Sequence, residues 1–206
     1  MKKMMLFAAS VAAACGMCAC GQQNTPPVEG SKTGFALSFF KEVNKSSQSS
    51  ENILVSPYSA GAALSMLLEG AQGQTKVELD NALNGCLFNN QNLESGDSVV
   101  VKSANSVWVD SDFSVRNNYV SLLQKDYGAL VETLRFSDPA TVRAINNWCS
   151  ENTNGKIDKI IDRLTSGDVM VLLNALYFNA PWEEKFDANL TSKADFRGVS
   201  GNKKVD

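Results

Sequence analysis

The sequence predicts an α+β fold in which helices pack on a central β-sheet. Three observations carry that expectation. Residues 57–69 read as a helix that is apolar nearly all round, and such a helix belongs inside a protein. Residues 169–178 are a run of largely apolar, β-favouring residues without alternation, the pattern of a strand covered on both faces. Between these two, strand-like and helix-like segments follow one another over residues 99–164, with capping and stop signals at their ends.

The elements follow in chain order. Residues 33–44 form an amphipathic helix through Phe35, Leu37, Phe39, Phe40 and Val43, ending in a polar loop at 45–50. Residues 53–55 read as a short buried strand. Ser56 is placed to cap the next helix, and Pro57 sits at its first turn, where a missing N–H costs nothing. Ala60, Ala62, Ala63, Leu64, Met66, Leu67 and Leu68 leave that helix no wide polar face. Gly70 and Gly73 stop it, and Thr75 with Glu78 reads as a capping box opening a further helix that Gly85 closes. Residues 89–97 are a polar, Gly-punctuated loop.

The second half of the pattern is equally regular. Residues 99–109 are β-rich, residues 112–127 show helical spacing at Val115, Tyr119, Leu122 and Leu123 up to Gly128, and 130–136 alternate as a strand. Asp138 and Pro139 open another helix, whose stripe is Val142, Ile145 and Cys149 and whose end is Asn154-Gly155. Ile157, Ile160, Ile161 and Leu164 suggest a short appended helical segment. In the run 169–178, Asn174 is the lone polar side chain. In a dry interior it must find partners or cost a few kcal/mol, so it is expected to tie neighbouring elements together.

The N-terminus reads as an export signal. Lys2 and Lys3 precede an apolar run over 4–14 that is too short to span a bilayer. Met17-Cys18-Ala19-Cys20, followed by Gly21 and the polar run 22–27, resembles a bacterial lipoprotein cleavage box, with Cys20 as the lipidated first residue; Cys15 is the competing position. The expected organisation is a leader at 1–19, a flexible stalk at 20–32 and one folded domain at 33–206. A single acylated cysteine would tether that domain to the membrane without embedding it, an exported protein anchored at the cell envelope.

Composition removes several kinds of chemistry. The chain has no histidine. A Ser-His-Asp triad, a Cys-His dyad, a His-Glu-x-x-His zinc site and an imidazole base are therefore impossible. Gly70 to Gly73 has neither the spacing nor the lysine of a phosphate loop. Ser38 and Lys41 fit a Ser-x-x-Lys pattern, and Lys32-Thr33-Gly34 fits Lys-Thr-Gly, but their order is wrong for the penicillin-binding enzymes and no Ser-Asp-Asn follows. No catalytic residue, metal ligand or cofactor is expected. Nineteen basic against 22 acidic residues give a net charge of −3 without a basic stripe, so nucleic acid is not an expected partner. Cys86 and Cys149 read as small apolar core residues in preference to a disulfide.

The stretch 52–75 (NILVSPYSAGAALSMLLEGAQGQT) resembles the signature near the start of serpins, the serine protease inhibitor family, at almost every position. The run VLLNALYF at 171–178, followed by Trp182 and Phe186, is similar to the central sheet strand of that family and the segment leaving it. ANSVW at 104–108 resembles its second sheet strand, and AINNW at 144–148 with TNGK at 153–156 resembles the helix lying across the sheet. Residues 191–196 and Asp206 suggest the start of a second sheet. The likeness runs in register from about Phe35 to the last residue. It departs at Asn179-Ala180-Pro181, where the family carries Lys-Gly before the tryptophan, and Pro181 removes a backbone donor there.

The resemblance implies a large central sheet, incomplete at the C-terminus, with Ser56, Ser59 and Asn174 in the region where the sheet opens and Trp182 at the top of that opening. It implies inhibition of serine endopeptidases, with cysteine endopeptidases as a second target class, through an exposed bait loop that inserts into the sheet after cleavage. That loop has no counterpart in residues 1–206, so the partner protease would be met only through it, and the sequence reads as a fragment inactive on its own. The alternative is a non-inhibitory serpin-fold remnant or binding protein.

Overall fold

The computed structural model describes residues 9–10, 30–47, 53–89, 96, 98–198 and 201–205. The proposed lipidation residue Cys20 and most of the expected leader and stalk lie outside these residues. Ser31 accepts a hydrogen bond from the Gly34 N–H at 3.4 Å and caps helix α1 (Lys32–Ser46). Phe35 is the buried residue of α1, its ring 5.2 Å from Phe88. Ser38 and Lys41 both stand on its solvent face, which disposes of the enzyme-like pattern.

Helix α2 (Pro57–Gly70) is the interior helix its sequence calls for, with Ala60, Ala62, Ala63, Met66 and Leu68 all buried. Ser56 caps it by accepting from the Ser59 N–H at 3.2 Å. Residues 53–55 are not a strand, and Leu54 is exposed. A three-residue apolar run becomes a strand only beside a free sheet edge, and no described strand pairs with it. The capping box is also absent. Gly73, at φ +57°, turns the chain straight into α3 (Gly73–Ala82), so Thr75 already lies within the helix. Gln72 holds the cap position without a side-chain bond, and Glu78 accepts from the Gln74 side chain at 3.1 Å.

The main sheet has the order β1-β4-β2-β3. Strands β2 (Val100–Asp110) and β4 (Met170–Asn179) pair antiparallel along their whole length, from Val100 opposite Asn179 to Val109 opposite Met170. β3 (Leu130–Leu134) runs parallel to β2. The far edge of β4 meets a two-residue strand, β1 (Ala9–Ser10), opposite Asn174 and Leu173. Both faces of the sheet are covered, as the unalternating run predicts. Met66, Val107, Val109, Leu123, Tyr127 and Leu172 pack together on the α2 side. Trp108, Phe136, Ile145 and Leu173 pack on the opposite side, beneath α5 (Pro139–Asn152). A third cluster of Phe35, Leu83, Cys86 and Phe88 joins α1 and the end of α3 to the back of α2.

Two helices differ from the pattern of their apolar residues. α4 spans Asn117–Tyr127, five residues shorter at its start than expected. The Asp110 carboxylate explains this. One oxygen accepts from the Asp112 N–H at 2.8 Å and the other from the Phe136 N–H at 2.9 Å, which holds the chain in a turn. Gly128 ends α4 in the left-handed region at φ +58°. The segment 157–164 is irregular instead of helical. Asn146 of α5 takes its backbone groups: Oδ1 accepts from the Ile160 and Ile161 N–H groups, and Nδ2 donates to the Ile161 carbonyl. Ile160, Ile161 and Leu164 still pack against the Trp108 cluster, so the apolar spacing reports burial and not helix.

Cys86 and Cys149 are free and buried, and burial pushes the Cys149 thiol up to about 11. Beyond β4 the chain forms a separate antiparallel pair, β5 (Ala194–Gly198) and β6 (Gly201–Val205), in the place where a second sheet is expected. Pro181 lies past the last β4 pair at Asn179, so its missing donor interrupts no described ladder bond.

A buried serine–asparagine clamp as the candidate functional site

Helix α2 crosses the sheet so that Ser59, in its first turn, faces the middle of β4. Both Ser59 and Asn174 are fully buried. The Ser59 hydroxyl donates to Asn174 Oδ1. Asn174 Nδ2 donates at 2.9 Å to Asn105 Oδ1 and at 3.0 Å to Ser103 Oγ, both on β2. The register places Asn105 directly opposite Asn174, which makes this amide pair a cross-strand contact on the α2 face. Asn105 Nδ2 then donates to the Tyr127 carbonyl at 2.8 Å, at the end of α4.

The direction of every bond in this chain is set. The Tyr127 carbonyl can only accept, so Asn105 must turn its amide nitrogen toward it and its oxygen toward Asn174. Asn174 in turn presents its oxygen to Ser59. The Tyr127 hydroxyl closes the circuit onto the other end of α2, donating to Glu69 Oε1 at 3.1 Å. Burial and the neighbouring Glu69 carboxylate both raise the Tyr127 phenol above its ordinary range. Tyr119 is pushed up to about 12, by burial first and Glu69 second, and its hydroxyl donates to the Met66 carbonyl at 2.8 Å. Among the described residues no buried side-chain nitrogen or oxygen is left without a partner.

Of the four residues singled out from the sequence, the structure brings Ser59 and Asn174 into contact and sets Ser56 one turn away as the helix cap. Trp182 is separate. It lies beyond the end of β4, 71% exposed, with Phe186 edge-on at 5.7 Å. Asn105 escaped sequence reasoning because Lys102, Ser103 and Ser106 share its β-rich run, so it does not stand out there as Asn174 does in its own. The Glu69–Tyr127 contact left no local signal.

This geometry performs no bond chemistry. It is an interior lock in an α+β protein, joining a core helix to the two central strands of a helix-covered sheet. The family described as "Serpin (serine protease inhibitor)" matches residues 30–206, and the chain belongs to it. It is 32% identical over 185 residues to an uncharacterized serpin-like protein of Methanosarcina acetivorans, covering 82% of this chain and 44% of that one. It is 34% identical over 180 residues to the leukocyte elastase inhibitor of Sus scrofa, covering 80% of this chain and 47% of that one. The fold is similar to that of a loop C-sheet serpin polymer, with a TM-score of 0.75 and 28% identity, covering 91% of this chain and 52% of the other. The chain spans about half the length of the relatives it matches. The serpin family is one of protease inhibitors, not enzymes.

Proposed function

We propose that this chain supplies the sheet-bearing half of a serpin-type inhibitor of serine endopeptidases. The observation that carries the reading is the Ser59–Asn174–Asn105 clamp, together with the family match over 30–206. An inhibitor that works by opening its sheet needs the strands held shut until the bait is cut. A directional set of buried hydrogen bonds does this, because parting β4 from α2 strands several polar groups at once. In this reading Ser56, Ser59 and Asn174 lie where the sheet opens and Trp182 at its upper end, and the bait loop belongs to the half of the serpin fold that these residues do not match.

The protein acts outside the cytoplasm, tethered by lipid at Cys20. The charged start, short apolar run and Met17-Cys18-Ala19-Cys20 box support this placement. The test of mechanism is incubation of the full-length product with serine and cysteine endopeptidases, followed by denaturing electrophoresis. A covalent, denaturant-resistant complex is the expected result. Cleavage without a complex would assign the protein to the non-inhibitory members of the fold.

A further inference from the structure

A cavity of about 430 Å³ opens between the end of α2, the starts of α3 and α4, and the first residue of β4. That size falls in the range of about 300–1,000 Å³ usual for small-molecule sites. Leu67, Val115, Tyr119 and Met170 give it apolar walls, and the exposed Arg116 is part of its lining. The wall is preformed. The Tyr119 ring is held by its hydroxyl bond to the Met66 carbonyl, and it lies so close to Gly70 that a Cβ there would sit 3.0 Å from the ring.

Among the described residues Arg116 is the one charged side chain that lines this cavity, and the Glu69 carboxylate that acts on the Tyr119 phenol is engaged by the Tyr127 hydroxyl outside the lining. Among the described residues no acidic side chain lines it and Arg116 makes no ion pair. The cap residues of α3 and α4, Gln72 and Arg116, both line the cavity and make no side-chain cap bond, so two positive helix ends add to the guanidinium. A largely apolar cavity with one guanidinium in its lining selects a ligand with an apolar body and a single anionic head. A neutral or cationic amphiphile of the same length would bury the same carbon and leave the guanidinium unanswered.

We propose that this cavity is a binding site for an apolar-bodied carboxylate of the medium-chain fatty-acid class, its chain against Leu67, Tyr119 and Met170 and its head on Arg116. The assignment is independent of protease inhibition, since it shares no residue with the Ser59–Asn174 clamp.

The test titrates the full-length protein, methyl-labelled at methionine, with decanoate, decanol and decyltrimethylammonium, each below its aggregation threshold. Decanoate is expected to bind at least about tenfold more tightly than decanol, the worth of one charge-assisted hydrogen bond. Its alkyl protons should show nuclear Overhauser contacts to the Met170 methyl group. R116Q, a surface change that leaves the core intact, should abolish the preference for decanoate and leave the decanol affinity unchanged. Equal affinity for the three probes, a carboxylate preference that survives R116Q, no contact at Met170, or no binding at all would each overturn the proposal.

Discussion

The hydroxyl of Ser59 donates to the side-chain carbonyl of Asn174, a residue 115 positions further along the chain, inside a region that water does not reach. This one bond joins the first turn of the core helix to the middle of the central strand. Its partners on β2 make it part of a network whose members depend on one another for orientation.

Replacing Asn174 by Ala leaves the Ser59 hydroxyl and the Asn105 carbonyl oxygen without their partner. Each stranded buried group costs about 1–3 kcal/mol, so N174A should lower unfolding free energy by at least about that amount. Denaturant unfolding of the full-length protein measures the loss, and size-exclusion chromatography after warming should show more polymer than the parent. N105A should have an effect of the same sign, and the double variant should lose less than the two single losses together. Strict additivity would mean that the two amides do not act as one unit.

Gly61 tests the back of α2. A Cβ at this position would stand 2.6 Å from Cδ2 of the buried Phe88 ring, closer than packed atoms tolerate. G61A should therefore destabilise by about 1–3 kcal/mol through overpacking, although alanine is the better helix former. Thermal unfolding of G61A, F88L and the double variant is the check. F88L should recover part of the G61A loss by giving the methyl room.

The two phenols near Glu69 predict an alkaline limit to stability. Tyr119 is raised from 10.0 to about 12 and Tyr127 higher still, so the folded state keeps protons that the unfolded chain releases above about pH 10. Their contribution is fully present below pH 10 and is lost as pH rises through the folded values. Unfolding free energy followed from pH 9 to 12 should fall, with tyrosinate absorbance appearing alongside unfolding. Y127F should flatten that slope; an unchanged slope would show that these phenols do not carry it.

The proposed lipid anchor has a direct assay. Expressed in a bacterial host, the parent should partition into detergent, and C20A should move to the soluble fraction. A response to C15A in place of C20A would relocate the cleavage box.

The elements legible in the sequence were those whose local chemistry and burial agree. Ser56 with Pro57 fixed the start of α2, Asp138 with Pro139 fixed the start of α5, and Gly128 fixed the end of α4. The apolar run around Asn174 foretold a strand covered on both faces, because no exposed position interrupts its centre. Asn174 itself was readable as a tie, since a lone amide in a dry strand has to be bonded to something.

Tertiary contacts decided the rest. Residues 157–164 carry the apolar spacing of a helix, yet Asn146 claims their backbone groups from another element. Asp110 delays α4 by binding the N–H groups of Asp112 and the distant Phe136, and residues 53–55 stay irregular because no described strand lies beside them. The identity of the partner of Asn174 was likewise invisible in the chain order. Periodicity reports which side chains avoid water, a one-dimensional property. Which donor meets which acceptor depends on strand register and helix placement, and only the packed fold sets those.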